Sequence, residues 1–173
     1  GGHRGMFLTA DLGDQIPLDT LLRQIIGKVH VPVIAAGGIA TAQDIVQAKQ
    51  LGADAVQIGT AYLCCPEATT SAIHRNALLS PQAGDTALTN LFSGRPARGI
   101  VNRVMREIGP ISLSAPAFPL ATAGITPLRT AAEKLGSGDF SPLWAGQNAK
   151  AIQTIPAGEL TQRYIDAWLA AKA

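Results

Sequence analysis

The sequence has only two cysteines, and they are adjacent, at Cys64 and Cys65. Neighbouring cysteines rarely meet the geometry of a disulfide bond. No further cysteine or histidine stands at the spacing of a zinc site, so we expect no metal centre. The pair follows an apolar, strand-like run, which favours two buried thiols. These observations predict a reduced, cytoplasmic protein.

Charge of either sign is also scarce. Charged residues make up 15% of the chain, the formal net charge is +2 and the basic residues are scattered. The sequence therefore lacks the electrostatic surface that binds nucleic acid. The one mild basic cluster is Arg95, Arg98, Arg103 and Arg106. We interpret it as a solvated helix face or as a local phosphate or interface contact.

Long apolar runs are missing as well. No run approaches the roughly 20 apolar residues that cross a bilayer, and no charged-then-apolar leader opens the sequence, so we expect no membrane partner. The chain also lacks an initiator methionine and opens on the loop-like sequence Gly1-Gly2-His3-Arg4-Gly5. We therefore expect a chain that begins inside a domain.

What the first third does contain is a repeat of β/α units. Thr41 with Asp44 resembles a capping box that begins a helix, and Gly52 stands where a helix ends. Short apolar runs bounded by glycine predict buried parallel strands. The predicted elements are a helix at 16–29, a strand at 31–36, a helix at 41–51 and a strand at 53–58. This order is typical of an α/β fold.

After residue 66 the pattern becomes mainly helical, with loops. The predicted elements are a helix at 67–79, a strand at 88–92, a turn at 94–99, a helix at 99–108, a loop at 109–127, a helix at 127–135, a loop at 136–142 and a helix at 156–172. We therefore divide the chain into residues 1–66, 67–142 and 143–173.

Glycine-containing turns follow the two predicted strands of the first third, at Gly37-Gly38 and at Gly59-Thr60. In (β/α) barrels the active site lies at the carboxyl ends of the strands, and phosphate commonly binds the loops after the last two. Glycine lets backbone N–H groups approach phosphate oxygens, and a following helix N-terminus adds a favourable dipole. The pattern favours a phosphate site over the alternative, in which these glycines serve turn geometry alone.

Glycines on both sides leave His3 accessible to a ligand. Imidazole titrates near neutral pH and can act as a general base or hold an anionic substrate. On its own, however, the pattern is that of a solvent-exposed turn histidine. We interpret His30, before a strand, and His74, on a predicted helix, as surface or packing residues.

Three motifs resemble, in order and spacing, those of the nitronate monooxygenase (2-nitropropane dioxygenase) family. They are Gly1-Gly2-His3-Arg4-Gly5, Pro32-Val33-Ile34-Ala35-Ala36-Gly37-Gly38-Ile39 and Gln57-Ile58-Gly59-Thr60. The stretches Phe92–Arg98 and Leu143–Gln147 are similar to family segments too. The resemblance implies a partial (β/α)8 TIM barrel without its N-terminal half. Residues 1–66 would be barrel, 67–142 a helical substrate or lid region, and 143–173 a flavin-proximal segment with a final helix.

The resemblance also implies FMN as cofactor and an oxidoreductase activity. The positions that match FMN contacts are Gly1, Gly37, Gly38, Gln57, Ile58, Gly59 and Thr60, with a looser match at Gly146 and Gln147 beside Trp144. His3 matches an active-site histidine that takes the α-proton of nitroalkanes or helps to hold nitronates. The implied reaction is oxidation of alkyl nitronates by O₂ to carbonyl compounds and nitrite. Nitroalkane substrates and a homo-oligomer are left open.

Two alternatives remain. One is an FMN-dependent enoyl-acyl-carrier-protein reductase or NAD(P)H:quinone reductase of the same fold, which shares the Gly-Gly-His and Ala-Gly-Gly motifs. The run Gly2-His3-Arg4-Gly5 favours the monooxygenase over these reductases. The other alternative is an inactive half-barrel fragment without turnover.

Overall fold

A computed structural model of the chain describes residues 1–3, 8–9 and 11–172. The α-helices are α1 (Leu18–Ile25), α2 (Ala42–Gln50), α3 (Ala72–Leu78), α4 (Arg103–Ile108), α5 (Ala121–Lys134) and α6 (Ala157–Ala170). The strands are β1 (Ile34–Ala36), β2 (Ala55–Gln57), β3 (Thr86–Thr89) and β4 (Ala97–Ile100). In the described residues, no helix is both long enough and apolar enough to cross a bilayer.

The chain divides into two units. The β/α unit comprises Leu8–Thr69 and Ala151–Ala173, and the hairpin unit comprises Gly1–Phe7 and Thr70–Lys150. The division of function at residues 66 and 142 remains a prediction about which segments serve the cofactor and which the substrate.

The β/α unit has the repeat that the sequence predicts. Strands β1 and β2 pair in parallel, with Ile34 opposite Ala55 and Ala36 opposite Gln57. Helix α2 connects them. It begins at the predicted capping box, in which Thr41 accepts from the Asp44 backbone and Asp44 accepts from the Thr41 backbone. After α2 the chain turns at Gly52, which has a positive φ of 93° that glycine adopts without strain.

Burial in the first helix and strand is smaller than predicted. Helix α1 is shorter than residues 16–29 and buries only Leu22 completely, whereas Leu21 is 38% exposed. In β1 the burial alternates, so that Ala35 is buried and Ile34 is 59% exposed. The prediction of a fully buried strand was therefore wrong. A strand is buried throughout only where both of its faces are covered, and the described chain covers mainly the Ala35 face.

Helix α6, predicted at 156–172, packs against α2 and completes the core of the β/α unit. Ile45 of α2 is fully buried, and Leu160 and Tyr164 of α6 lie against it in the same cluster. The Tyr164 hydroxyl donates to the carbonyl of Ala40 at 2.7 Å. Cys65 belongs to this core, and Cys64 is buried too, as predicted for both cysteines.

The hairpin unit contains a strand that the sequence did not reveal. Strand β4 pairs antiparallel with β3, with Thr86 opposite Ile100 and Thr89 opposite Ala97. The sequence instead predicted a turn at 94–99 that runs into a helix, and a strand at 88–92. The run Ala-Arg-Gly-Ile of β4 has little apolar alternation, so its conformation depends on pairing with segments distant in sequence.

Two helices of this unit begin elsewhere than predicted. Helix α3 begins at Ala72, after the Ser71 cap, and not at residue 67. Helix α5 begins at Ala121, before the predicted residue 127, and contains Pro127 in its interior. Proline normally marks a helix start because it lacks an N–H donor. Here a hydrogen bond from Thr122 to the Phe92 carbonyl at 2.9 Å ties the earlier start of α5 to the core.

Candidate functional site

The turn after β1 consists of Gly37 and Gly38, whose φ angles are 110° and 76°. Both angles lie in the left-handed region that favours glycine. The turn continues through the buried residues Ile39 and Ala40 into the Thr41 cap of α2. A Cβ at Gly38 would meet no other described atom within 4 Å. Turn geometry alone is thus enough to require these two glycines, while the space beside Gly38 is open.

The turn after β2 contains a glycine, Gly59, that neither its backbone conformation nor its packing requires. Gly59 has a φ of −115°, which other residues adopt, so its backbone conformation does not call for glycine. Packing does not call for it either, since a Cβ there would meet no atom of the described chain within 4 Å. A bare backbone beside open space suits the close approach of a ligand such as a phosphate. The residues present therefore fit the phosphate of FMN.

The two turns lie side by side. Because β1 and β2 are parallel with Ala36 opposite Gln57, the chain leaves both strands at the same edge of the sheet. Ligands of open α/β sheets bind at this carboxyl edge. Thr60 then begins a short 3-10 turn, Thr60–Tyr62, so its hydroxyl lies at the start of a helical segment. The structure thus brings together the predicted contacts of the β/α unit.

Gln57 and Ile58 differ in what their side chains can do. Gln57 is exposed at the end of β2. Ile58 is partly buried, packs against the core and lines a groove of about 360 Å³ between β2 and α6. Any contact of Ile58 with a phosphate would therefore have to come from its backbone.

His3, the predicted catalytic residue, belongs to the hairpin unit, and its side chain is exposed. Its neighbour Gly2 is anchored, because the backbone N–H of Arg98 donates to the Gly2 carbonyl at 2.6 Å. The His3 imidazole lies beside the Trp144 indole, with ring centroids 6.4 Å apart and planes at 55°. Arg4 and Gly5 of the opening motif lie outside the described residues.

The Trp144 segment pairs with β4 through one isolated bridge. Gly99 and Trp144 form an antiparallel bridge, in which the N–H of Ile100 donates to Leu143 and the N–H of Ala145 donates to Arg98. The Trp144 ring meets the Phe92 ring edge-on, with centroids 5.5 Å apart. The segment is thus bonded to β4 on one side, and its indole contacts Phe92.

The predicted site residues that follow Trp144 differ in exposure. Gly146 is buried and Gln147 is exposed. Gly1, His3, Gly146 and Gln147 all belong to the hairpin unit, whereas Gly37, Gly38 and residues 57–60 belong to the β/α unit.

His74 lies on a helix and is partly buried, as predicted, and it makes a contact that the sequence does not indicate. It is partly buried on α3, and its Nε2 lies 3.0 Å from the carbonyl oxygen of Trp144. Burial lowers the pKa of His74 below its ordinary value, and the hydrogen bond to Trp144 opposes this only in part. Packing was predicted, but nothing in the sequence links His74 to Trp144, because the contact spans 70 residues.

The arginine cluster is explained by local contacts. Arg103 forms an exposed pair with Glu107 at 2.7 Å on α4, which agrees with a solvated helix face. Arg98 donates from Nη1 to the Thr86 carbonyl at 3.1 Å, and the Arg95 guanidinium lies 6.0 Å from the centre of the Phe118 ring.

Comparison with known sequences identifies relatives over nearly the whole chain. Residues 1–166 match the family model described as nitronate monooxygenase. A nitronate monooxygenase from Pseudomonas aeruginosa is 41% identical over an alignment of 168 residues that covers 96% of this chain and 48% of that protein. A probable nitronate monooxygenase from Staphylococcus aureus is 35% identical over an alignment of 169 residues that covers 96% of this chain and 47% of that protein. The chain spans about half the length of the curated relatives it matches.

Solved structures show the same similarity in three dimensions. A nitroalkane oxidase from Streptomyces ansochromogenes superposes with a TM-score of 0.89 at 41% identity, covering 99% of this chain and 49% of that one. FabK from Thermotoga maritima superposes with a TM-score of 0.73 at 26% identity, covering 90% of this chain and 50% of that one. From the family match over residues 1–166 and these relatives, the chain belongs to the nitronate monooxygenase family.

Proposed function

We propose that this chain forms part of an FMN-dependent enzyme that oxidises alkyl nitronates with O₂ to carbonyl compounds and nitrite. Nitroalkanes are a second substrate class under the same proposal. The observation that carries it is the pair of glycine turns at one edge of the parallel sheet, with open space beside Gly59. Family membership supports the same conclusion, and so does the structural similarity to a nitroalkane oxidase. The β/α unit would then be part of a (β/α)8 barrel.

FMN binding is assigned to backbone groups of the β/α unit. The N–H groups of Gly38, Gly59 and Thr60 would hold the terminal phosphate, because all three lie at the carboxyl ends of β1 and β2. Gly1, Gly37, Gln57, Ile58, Gly146 and Gln147 are proposed as further contacts on the basis of their motif positions. Held there, FMN would supply the redox chemistry that links oxidation of the substrate to reduction of O₂.

His3 supplies the proton chemistry in this proposal. A neutral nitroalkane carries an acidic proton on the carbon beside the nitro group, and an imidazole nitrogen of His3 would take it as general base. A nitronate has already lost that proton, so the same nitrogen, in its protonated form, would instead donate a hydrogen bond to the anion. The exposed His3 side chain can reach a ligand, and the Trp144 indole lies beside its ring, with centroids 6.4 Å apart.

The test uses a chimaera, because this chain spans about half of its relatives' length. The chain replaces the matching segment of the Pseudomonas aeruginosa relative, which makes up 48% of that protein. We expect the purified chimaera to retain FMN and to lose its yellow colour when propionate 3-nitronate is added without oxygen. Bleaching by NADH and not by the nitronate would favour the reductases. A colourless, aggregating product would support the inactive fragment.

A further inference from the structure

The contact between His74 and Trp144 ties α3 to the segment beside His3. A carbonyl oxygen only accepts hydrogen bonds, so His74 donates from Nε2–H to Trp144 across 3.0 Å. This assigns the Nε2–H tautomer to the neutral ring. The N-terminus of α3 is itself fixed, since the Ser71 side chain accepts from the backbone N–H of His74 at 3.3 Å. The histidine therefore extends from a capped helix.

The position of Trp144 in its bridge explains why this donor matters. Leu143 and Ala145 make the hydrogen bonds to β4, through Ile100 and Arg98. Such a bridge directs the N–H and C=O of Trp144 itself away from β4. A carbonyl oxygen withdrawn from water destabilises the fold when no donor reaches it, and the contact of His74 with Trp144 is partly buried. His74 supplies that donor, so it holds the side of Trp144 that faces away from β4.

The Trp144 ring transmits this constraint to the proposed site. Its edge-on contact with Phe92 fixes one side of the indole, and His3 lies beside it at 6.4 Å. A shift of the Trp144 backbone would move the indole relative to both rings. We propose that His74 is a positioning residue, which orients the His3 imidazole through its hydrogen bond to the Trp144 carbonyl. The consequence for turnover rests on the proposed function, whereas the positioning itself does not.

The experiment measures the ring-current effect of Trp144 on His3 by NMR. An aromatic ring displaces the resonances of protons beside it, so the imidazole protons of His3 report where the indole lies. The chain has only three histidines, and loss of a signal in His3→Asn assigns the resonance. The His3 resonances of Trp144→Leu give the reference values in the absence of the indole. This measurement needs neither FMN nor turnover.

Two substitutions of His74 separate the hydrogen bond from simple packing. Glutamine places a donor amide close to the position of Nε2, so His74→Gln should leave the His3 resonances near their original values. Leucine fills similar space without a donor, so His74→Leu should move the His3 resonances away from their original values. Unmoved His3 resonances in a folded His74→Leu variant would overturn the proposal, as would equal shifts in both variants.

A measurement on the unmodified chain keeps the proposal testable if His74→Leu does not fold. The ¹⁵N shifts of His74 should show a protonated Nε2 and an unprotonated Nδ1 at neutral pH, and the opposite tautomer would exclude the hydrogen bond. In the chimaera, His74→Leu should lower kcat. His74→Gln should leave kcat near the value of the unsubstituted chimaera. If the chimaera binds no FMN, the proposed function fails while the NMR result still decides the positioning role.

Discussion

The backbone of Arg98 is hydrogen-bonded to a chain neighbour of His3 and to a chain neighbour of Trp144. Its N–H donates to the carbonyl of Gly2, next to His3, at 2.6 Å, and its carbonyl accepts from the N–H of Ala145, next to Trp144, at 3.1 Å. The two aromatic rings, far apart in sequence, therefore lie 6.4 Å apart between centroids. Strand β4, which the sequence did not reveal, thus contacts the segments that carry the proposed catalytic histidine and Trp144.

Replacing His3 by alanine should slow turnover in the chimaera while FMN stays bound. A general base contributes about 10²–10⁴-fold to a rate, so we expect a loss in that range with neutral nitroalkanes. The measurement is steady-state turnover beside the flavin content. His30, an exposed histidine of the β/α unit, provides the control, and His30→Ala should be without effect. Unchanged turnover in His3→Ala would remove this residue from the mechanism.

Replacing Gly59 by alanine should weaken FMN binding and leave the fold intact. The φ of −115° accepts alanine and the added methyl group meets no described atom within 4 Å, yet it would obstruct a phosphate. A lost hydrogen bond to a charged group costs about 1.5–3 kcal/mol, so the affinity should fall by about tenfold or more. The check is FMN titration together with thermal unfolding.

Gly124 provides the matched control for that experiment. It lies in α5, and a Cβ there also meets no described atom within 4 Å. Gly124→Ala should leave FMN affinity unchanged and should stabilise the helix by about 1 kcal/mol. If Gly59→Ala binds FMN as tightly as Gly124→Ala, the phosphate is not at the turn after β2.

The capping box of α2 should contribute measurably to stability. Thr41 Oγ1 accepts from the Asp44 N–H at 3.2 Å, and Asp44 accepts from the N–H groups of Thr41 and Ala40 at 2.8 and 2.9 Å. Removing an N-cap side chain costs about 1 kcal/mol, which we expect for Thr41→Ala in urea unfolding. Thr41→Ser keeps the acceptor oxygen and should retain most of that stability. Equal losses in both variants would argue against the cap.

Tyr164 should make the stability depend on pH in alkaline solution. Burial raises the pKa of its hydroxyl from its ordinary value to about 12. Since the folded state holds this proton more tightly than the unfolded state, the stabilisation is complete below about pH 10 and declines as the pH rises towards 12. Urea unfolding over this pH range measures the decline.

Tyr164→Phe should remove that alkaline component. It also removes the hydrogen bond to Ala40, so we expect a loss of about 1 kcal/mol at neutral pH. The chain's other tyrosine, Tyr62, donates to Thr161 at 2.8 Å, and Tyr62→Phe leaves the Tyr164 bond in place. An unchanged alkaline decline in Tyr164→Phe would show that another group causes it.

The sequence by itself determined the elements whose signals are local. The capping box of Thr41 and Asp44, the terminating Gly52 and the short apolar runs were sufficient for α2 and the parallel pair β1 and β2. These signals act within a few residues, through a side-chain cap or through a φ angle that glycine adopts. The same motifs were sufficient to predict the family.

Tertiary structure decided what depends on distant partners. Strand β4 pairs with β3 and with the Trp144 segment. Helix α5 begins ahead of Pro127, where the Thr122 hydroxyl donates a hydrogen bond to the Phe92 carbonyl. The link from His74 to Trp144 likewise follows from how α3 packs. Hydrogen bonds and contacts between residues far apart in the chain leave no periodic trace in the sequence, so only the folded chain shows them.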